Sequence, residues 1–255
     1  MQSLERGLAV IRAFDGDNPE LTLSEVARAA GLTRAAARRF LLTLIDLGYV
    51  RTEGRLFSLR PRVLELGYAY LSSLSLPEVA QPHMEALVAQ IHESCSVSVL
   101  DGDEVVYVAR VPTHRIMRVA ISVGTRFPAF ATSMGRVLLA ALPPAEAESH
   151  YTPEKVRQLT IRTVTDPRRL QTLLARVRSQ GYCLIDQELE VGLRSIAVPV
   201  HDSDGMVIAA MNVSMHVSSR TANEIKHEIL PKLLETAAEV EQDVRSRSGT
   251  LARAH

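Results

Sequence analysis

Arg34, Arg38 and Arg39 crowd one short stretch, with only alanine between the first and second. If that stretch is helical, Arg34 and Arg38 lie one turn apart on the same side. A guanidinium there can donate two hydrogen bonds to guanine O6 and N7, or bind phosphate. Small Ala35 and Ala36 let the helix backbone approach base edges, and Thr33 is placed to cap its first turn. No acidic residue lies between Glu25 and Asp46. Arg51 and Arg55, further on, are spaced to reach flanking phosphates or the minor groove. The candidate DNA-reading set is therefore Thr33, Arg34, Ala35, Ala36, Arg38, Arg39, Arg51 and Arg55. The plainer alternative is a solvated basic face on a helical domain.

The flanking elements favour DNA. Leu4, Leu8, Ile11 and Phe14 recur at helical spacing, so residues 3–14 read as an amphipathic helix. A turn follows at 15–19, then a second helix starting near Ser24, its presumed cap. Gly31-Leu32-Thr33 breaks it, and the arginine-bearing helix begins at once, ending at Gly48. Residues 49–52 and 56–59 read as strands around a turn at 53–55. Short helix, glycine turn, arginine-rich helix and hairpin form the order of a winged helix-turn-helix.

The rest of the chain has a different rhythm. Residues 61–76 read as a linker helix after a 1–60 DNA-binding domain, and 77–255 as a second, α+β domain. There a long helix to about His92 precedes alternating runs at 95–100 and 105–111, joined by a hairpin turn. A further strand is expected at 118–123, and a glycine- and proline-containing loop at 124–133. A helix over 134–141, polar helices within 143–180, strands at 181–185, 194–200 and 206–215, and a closing helix over 221–244 complete it. The last residues, 245–255, read as frayed.

Bulk properties exclude more than they assign. The 255 residues carry 29 basic and 29 acidic side chains, so any nucleic-acid footprint must be local. Residues 1–60 hold nine arginines against seven acids. Cys95 and Cys183 lack metal-type spacing and read as buried thiols. The chain shows no HExxH, GxSxG or phosphate-loop motif, and no metal or other cofactor is expected. Ser133, His201 and Asp202 make a catalytic triad only on paper. No signal peptide and no apolar run of ~20 residues is seen, so the expected place is the cytoplasm, with no membrane contact.

Leu21-Thr22-Leu23-Ser24-Glu25-Val26-Ala27, Gly31-Leu32-Thr33-Arg34 and Leu47-Gly48-Tyr49-Val50 resemble the IclR family of bacterial regulators. Arg6-Gly7-Leu8-Ala9-Val10-Ile11 and Ala36-Ala37-Arg38-Arg39-Phe40-Leu41 resemble its Pca/Pob branch. The loop 124–135 and Gly192-Leu193-Arg194-Ser195-Ile196-Ala197 match as well, so the resemblance covers essentially the whole chain. It implies a winged helix-turn-helix, a linker helix and a GAF-like effector domain. It also implies a homodimer or dimer of dimers on double-stranded operator DNA and control of aromatic-acid catabolism; effector binding is then expected to change either DNA affinity or contact with RNA polymerase. The effector would be a small organic acid of the protocatechuate, 4-hydroxybenzoate or β-ketoadipate class.

By the same resemblance, Ser133 and Met134 stand where family members contact small acids, with Phe130 and Thr132 beside them. They enter a helix N-terminus, whose free amides attract carboxylate. Ser195 stands where some members have Cys. Asn212 and Ser214 share one face of a strand, and Asn212 departs from a serine found in some members. Asp186 adjoins the position of an acidic contact. Arg126 and Arg194 are candidate partners for a carboxylate, though an ion pair serving the fold explains Arg194 equally well. The contrasting possibility is an enzyme or sensor of small molecules whose N-terminal domain binds protein.

Overall fold

The computed structural model describes residues 2–66, 75–113 and 121–251. The chain divides into two compact units, Met1–Ser73 and Leu74–His255. Half of the expected linker helix, residues 67–74, lies outside the described residues; of the rest, Pro61–Leu64 is a 3-10 turn, 65–66 are helical, and 75–76 begin the helix Ser75–Ile91.

In the first unit, α1 (Gln2–Ile11), α2 (Leu23–Ala29) and α3 (Arg34–Asp46) surround a small core with β1 (Glu20–Thr22), β2 (Val50–Glu53) and β3 (Leu56–Leu59). The strands order β1-β3-β2, all antiparallel, so the hairpin has a third strand that the short Glu20–Thr22 run did not advertise. Thr22, not Ser24, caps α2. Its hydroxyl accepts from Glu25 N at 3.4 Å while the Glu25 carboxylate accepts from Thr22 N at 2.7 Å. This reciprocal capping box satisfies two otherwise orphaned donors. Val10, Val26, Leu41 and Val50, each at most 1 % exposed, form the centre of the core.

The second unit is built on a six-stranded antiparallel sheet. Its strands are β4 (Ser94–Asp101), β5 (Glu104–Val111), β6 (Arg126–Pro128), β7 (Cys183–Asp186), β8 (Leu193–His201) and β9 (Val207–His216), in the order β6-β5-β4-β9-β8-β7. The strand expected at 118–123 is not found at its described positions, 121–123; instead Arg126–Pro128, expected as loop, pairs with β5.

Alternation along the strands assigns the two sheet faces. Cys95, Val97, Ile196, Val198, Met211 and Val213 share a core with Met84 and Leu87 of α4 (Ser75–Ile91), and with Leu233 and Val240 of the C-terminal helix. That helix runs as α8 (Ala222–Glu224), a π-helical turn (Ile225–Ile229) and α9 (Leu230–Leu251), so it continues past Val244. The opposite face packs on α5 (Ser133–Ala141) and α7 (Pro167–Gln180), with α6 (Pro144–Glu148) beside them. Met134, Leu139 and Leu170 fill this second core.

Two features fix the approach of α5 to its preceding turn, Ala129–Ala131. Gly135 has no room for a side chain: a Cβ there would lie 2.1 Å from the Ala129 carbonyl oxygen. Arg136, 3 % exposed, holds Glu188 through two hydrogen bonds of 2.8 and 2.6 Å and donates from Nε to the Phe130 carbonyl at 2.8 Å.

Candidate functional site

On α3, Thr33 caps the helix, its hydroxyl accepting from Ala36 N at 3.3 Å. Ala37, Leu41 and Leu44 turn inward. That leaves Arg34, Ala35, Arg38 and Arg39 exposed on the outer side and Ala36 partly exposed. Among the described residues no acid pairs with any of these arginines, so their charge is available to an external anion. Arg51 and Arg55 are exposed on the hairpin, with Arg51 Nε donating to Ser58 Oγ at 3.0 Å. The whole expected DNA-reading set therefore lies on α3 and the hairpin, exposed or partly so.

The second unit holds a small cavity between the sheet and the start of α5. Register explains its polar wall. Ser195 pairs with Ser214, and Asn212 with Ser96, so these side chains share the sheet face turned toward α5. Ser133 Oγ lies 2.9 Å from Ser195 Oγ, and Asn212 Nδ2 donates to Ser214 Oγ at 3.0 Å. Thr132 caps α5 by accepting from Gly135 N at 3.0 Å. Ser133, Ser195, Asn212 and Ser214 are each no more than 7 % exposed. A row of buried hydroxyls and an amide at a helix N-terminus has the donors and the positive dipole end that a carboxylate requires. Tyr107, Ile121, Ala131, Ile185, Leu189 and Leu193 supply the apolar wall. Burial pushes the Tyr107 phenol up to about 12, so it stays protonated, and its ring meets Phe127 edge-on at 5.7 Å.

Five of the ten expected effector residues line this cavity: Thr132, Ser133, Ser195, Asn212 and Ser214. The other five do not. Phe130 and Met134 are core residues behind it, the Met134 sulfur accepting from Ser98 Oγ at 3.2 Å. Asp186 and Arg194 are cross-strand partners whose positions point to the opposite face of the sheet. Arg194 Nε donates to Asp186 at 2.9 Å, and its Nη1 to the Arg220 carbonyl at 2.6 Å, so the fold occupies this guanidinium. Burial opposes ionisation of Asp186, but its hydrogen bond from Arg194 and the charges of Arg194 and Arg162 outweigh that and lower its pKa. Arg126 is held by Asp101 and Glu104, each at 2.8 Å.

The sequence reading missed most of the apolar wall, Tyr107 included. Tyr107 and Arg110 are three apart, and strict alternation would put them on opposite faces. A bulge opposite Val97/Ser98 inserts Val108, so Tyr107 pairs with Ser98 and Arg110 with Ser96, both toward α5.

The paper triad does not assemble. Ser133 meets the Ser195 end of β8, while His201 lies six residues on, about 20 Å along the strand, and pairs with Glu241 at 2.7 Å. Among the described residues no group of His, Cys, Asp or Glu is arranged to hold a metal. Cys95 and Cys183 are buried, on opposite sheet faces, with thiols pushed up to about 12 by burial. No described helix is long and apolar enough to cross a membrane.

Comparison with known proteins agrees with this division. Residues 3–54 match the model of the IclR helix-turn-helix domain, and residues 68–242 that of the C-terminal domain of bacterial IclR transcriptional regulators. The chain is 47 % identical to the Pca regulon regulatory protein of Pseudomonas putida over 235 residues, covering 92 % of this chain and 81 % of that one. It is 40 % identical to the p-hydroxybenzoate hydroxylase transcriptional activator of Acinetobacter baylyi, over 93 % of this chain and 89 % of the relative. A crystal structure of an IclR homologue from Microbacterium hydrocarbonoxydans, complexed with 4-hydroxybenzoate, superposes with a TM-score of 0.82 at 30 % identity, covering 96 % of this chain and 99 % of that one. The relatives are transcriptional regulators, not enzymes. An exposed arginine helix, a buried polar cavity and these matches converge: the chain belongs to the IclR family of bacterial transcriptional regulators.

Proposed function

We propose that this protein regulates an operon for aromatic-acid breakdown, of the Pca/Pob type, by binding operator DNA and a small carboxylate effector. The observation that carries the effector half is the cluster of buried hydroxyls at the α5 N-terminus, which has the chemistry of a carboxylate site and, among the described residues that line it, no catalytic base. In this reading the effector carboxylate sits at Ser133 and Ser195, and its body lies against Tyr107, Ile185 and Leu193. The candidate acids are protocatechuate, 4-hydroxybenzoate and β-ketoadipate. Asp186, Arg194 and Arg126 act on the site indirectly, through the strands they tie together, and Phe130 and Met134 by backing the cavity.

The DNA half rests on α3. Arg34, Arg38 and Arg39 read bases or phosphates in the major groove, and Arg51 and Arg55 touch the flanking backbone. The working form is a homodimer or a dimer of dimers in the cytoplasm, its two recognition helices spaced to adjacent half-sites. The effector shifts the population of subunit arrangements and thereby operator affinity or contact with RNA polymerase.

Two substitutions separate the halves. Arg38→Ala should weaken operator binding and leave acid binding unchanged, whereas Asn212→Leu should abolish the response to acid and leave operator affinity unchanged. Loss of both functions in either variant would contradict the division of labour.

A further inference from the structure

β7 is an outer strand of the six-stranded sheet, with β8 on one side of it and no strand on the other. Gln187 N donates to the Leu193 carbonyl at 2.8 Å, so these two residues form a hydrogen-bonded pair. Bonded and unbonded pairs alternate along an antiparallel ladder. Ile185–Ser195 and Cys183–Ala197 are therefore bonded, and the N–H and C=O groups of Leu184 and Asp186 turn away from β8. Among the described residues no main-chain group pairs with them on that side. The edge is closed at both ends. The Gln180 amide donates to the Tyr182 carbonyl at 2.7 Å, and the Thr160 and Thr163 hydroxyls donate to the Gln187 and Glu188 carbonyls at 2.6 and 2.7 Å. What stays open is a window at Leu184–Asp186. The other outer strand, β6, is blunted by Pro128, whereas β7 has neither proline nor lysine.

The window opens into a cleft of ≈ 180 Å³. α7 contributes Leu173, Arg176 and Val177, β7 contributes Tyr182 and Leu184, and the π-helical turn Ile225–Ile229 contributes Lys226. α7 packs on one sheet face and the π-helical turn on the other, so the cleft straddles the strand edge. It shares no lining residue with the cavity at the start of α5. The charged residues of α7 are all arginines. Arg176 and Lys226 are exposed, and the acids near them are engaged elsewhere: Asp186 by Arg162 and Arg194, Glu228 by Arg220, and Glu224 by the Thr221 cap.

We propose that this edge docks an extended, acidic peptide segment of another protein. The segment adds to the sheet beside β7, exchanging main-chain hydrogen bonds with Leu184 and Asp186, and sets its carboxylates against Arg176 and Lys226. Its apolar side chains lie on Leu173, Val177 and Tyr182. Main-chain pairing supplies the fit to an extended chain, and the two cations supply the selection for acid. A second copy of this chain meets a charge conflict here. Two β7 edges paired about a twofold axis would set α7 against α7 and bring arginine against arginine. The proposal stands apart from the acid-effector reading, since neither surface uses the other's residues.

The test is fluorescence anisotropy of three labelled, end-capped peptides titrated with the full chain. One alternates valine with glutamate, one alternates valine with lysine, and the third is the glutamate peptide with its backbone nitrogens methylated. The wild type should bind the glutamate peptide roughly tenfold more tightly than the lysine peptide, a margin that shrinks with added salt. Methylation should abolish binding, and the bound glutamate peptide should slow amide exchange at Leu184 and Asp186. The double variant Arg176→Glu, Lys226→Glu should reverse the preference; both side chains are exposed, and an unchanged urea midpoint shows that the fold is kept. Leu184→Pro removes an edge N–H that β8 does not use, and should also lose the glutamate peptide. No binding of the glutamate peptide would overturn the proposal. So would equal binding of the lysine peptide, or of the methylated one, which would leave a charge contact without strand addition. Loss of operator affinity in the double variant would assign the two cations to DNA phosphate, and loss of self-association in Leu184→Pro would assign the edge to a second copy; either result would overturn the proposal.

Discussion

Replacing Gly135 with alanine should damage both stability and effector binding, for one geometric reason. The new Cβ would meet the Ala129 oxygen, Cα and carbonyl carbon at 2.1, 2.4 and 2.6 Å, all backbone atoms. Reaching the ordinary contact distance of 3.4 Å requires a relative shift of about 1.3 Å between α5 and the Ala129–Ala131 turn. Both sides are buried, so neither moves freely. Overpacking of this kind costs about 1–3 kcal/mol, sometimes more. The better helix propensity of alanine returns at most about 1 kcal/mol. Because all three atoms met are backbone, the upper end of that cost applies, and the net effect is destabilisation of about 2 kcal/mol, read as a lower urea midpoint with unchanged slope. The cavity residues Ala131, Thr132 and Ser133 lie on the segment that must move. Effector affinity should therefore fall at least tenfold, about 1.4 kcal/mol, while operator affinity without effector stays at the wild-type value. A variant with wild-type midpoint and wild-type effector affinity would refute the reasoning, because it would show that the α5–turn contact neither limits packing nor shapes the cavity.

Other expectations are narrower. Glu188→Gln leaves the buried Arg136 guanidinium unpaired and should cost about 3–5 kcal/mol in urea unfolding; a loss below 1 kcal/mol would mean that water reaches it. The lowered pKa of Asp186 stabilises the fold above its ordinary value of 3.8, and that contribution is lost as pH falls through the lower folded value. The stability gap between wild type and Asp186→Asn should accordingly be constant above about pH 5 and shrink in acid; a gap independent of pH would contradict the assignment. Thr33→Ala removes the α3 cap and should lower the stability of the first unit by about 0.5–2 kcal/mol, seen by hydrogen exchange of α3 amides.

What the sequence made legible follows from the range of the interactions involved. The α3 face depends on periodicity within 13 residues, and the inward Ala37, Leu41 and Leu44 could be read directly. The polar cavity residues on β8 and β9 came from resemblance, and strand alternation alone places Asn212 with Ser214. Charge suggested a ligand role for Asp186 and Arg194, but hairpin register pairs them on the far face, which is the ion-pair alternative already open for Arg194. Arg126 was diverted by acids more than twenty residues away in sequence. The side of Arg110 was illegible because a one-residue bulge in β5 reverses it, and nothing local in Val105–Arg110 marks the extra residue. The α2 cap was misplaced by two residues because Thr22 and Ser24 are equivalent as residue types; only the reach of Glu25 back to Thr22 decides between them.

The account's central claim is that one chain couples salt-sensitive operator recognition to a small acid. The most direct test is fluorescence anisotropy of labelled DNA from upstream of this protein's own gene, titrated at two salt concentrations, with and without each of the three candidate acids. The account predicts sequence-selective binding that weakens steeply with salt and changes at least tenfold with one acid. Absence of selective binding to that DNA and to neighbouring promoters, or selective binding that no acid alters, would contradict it.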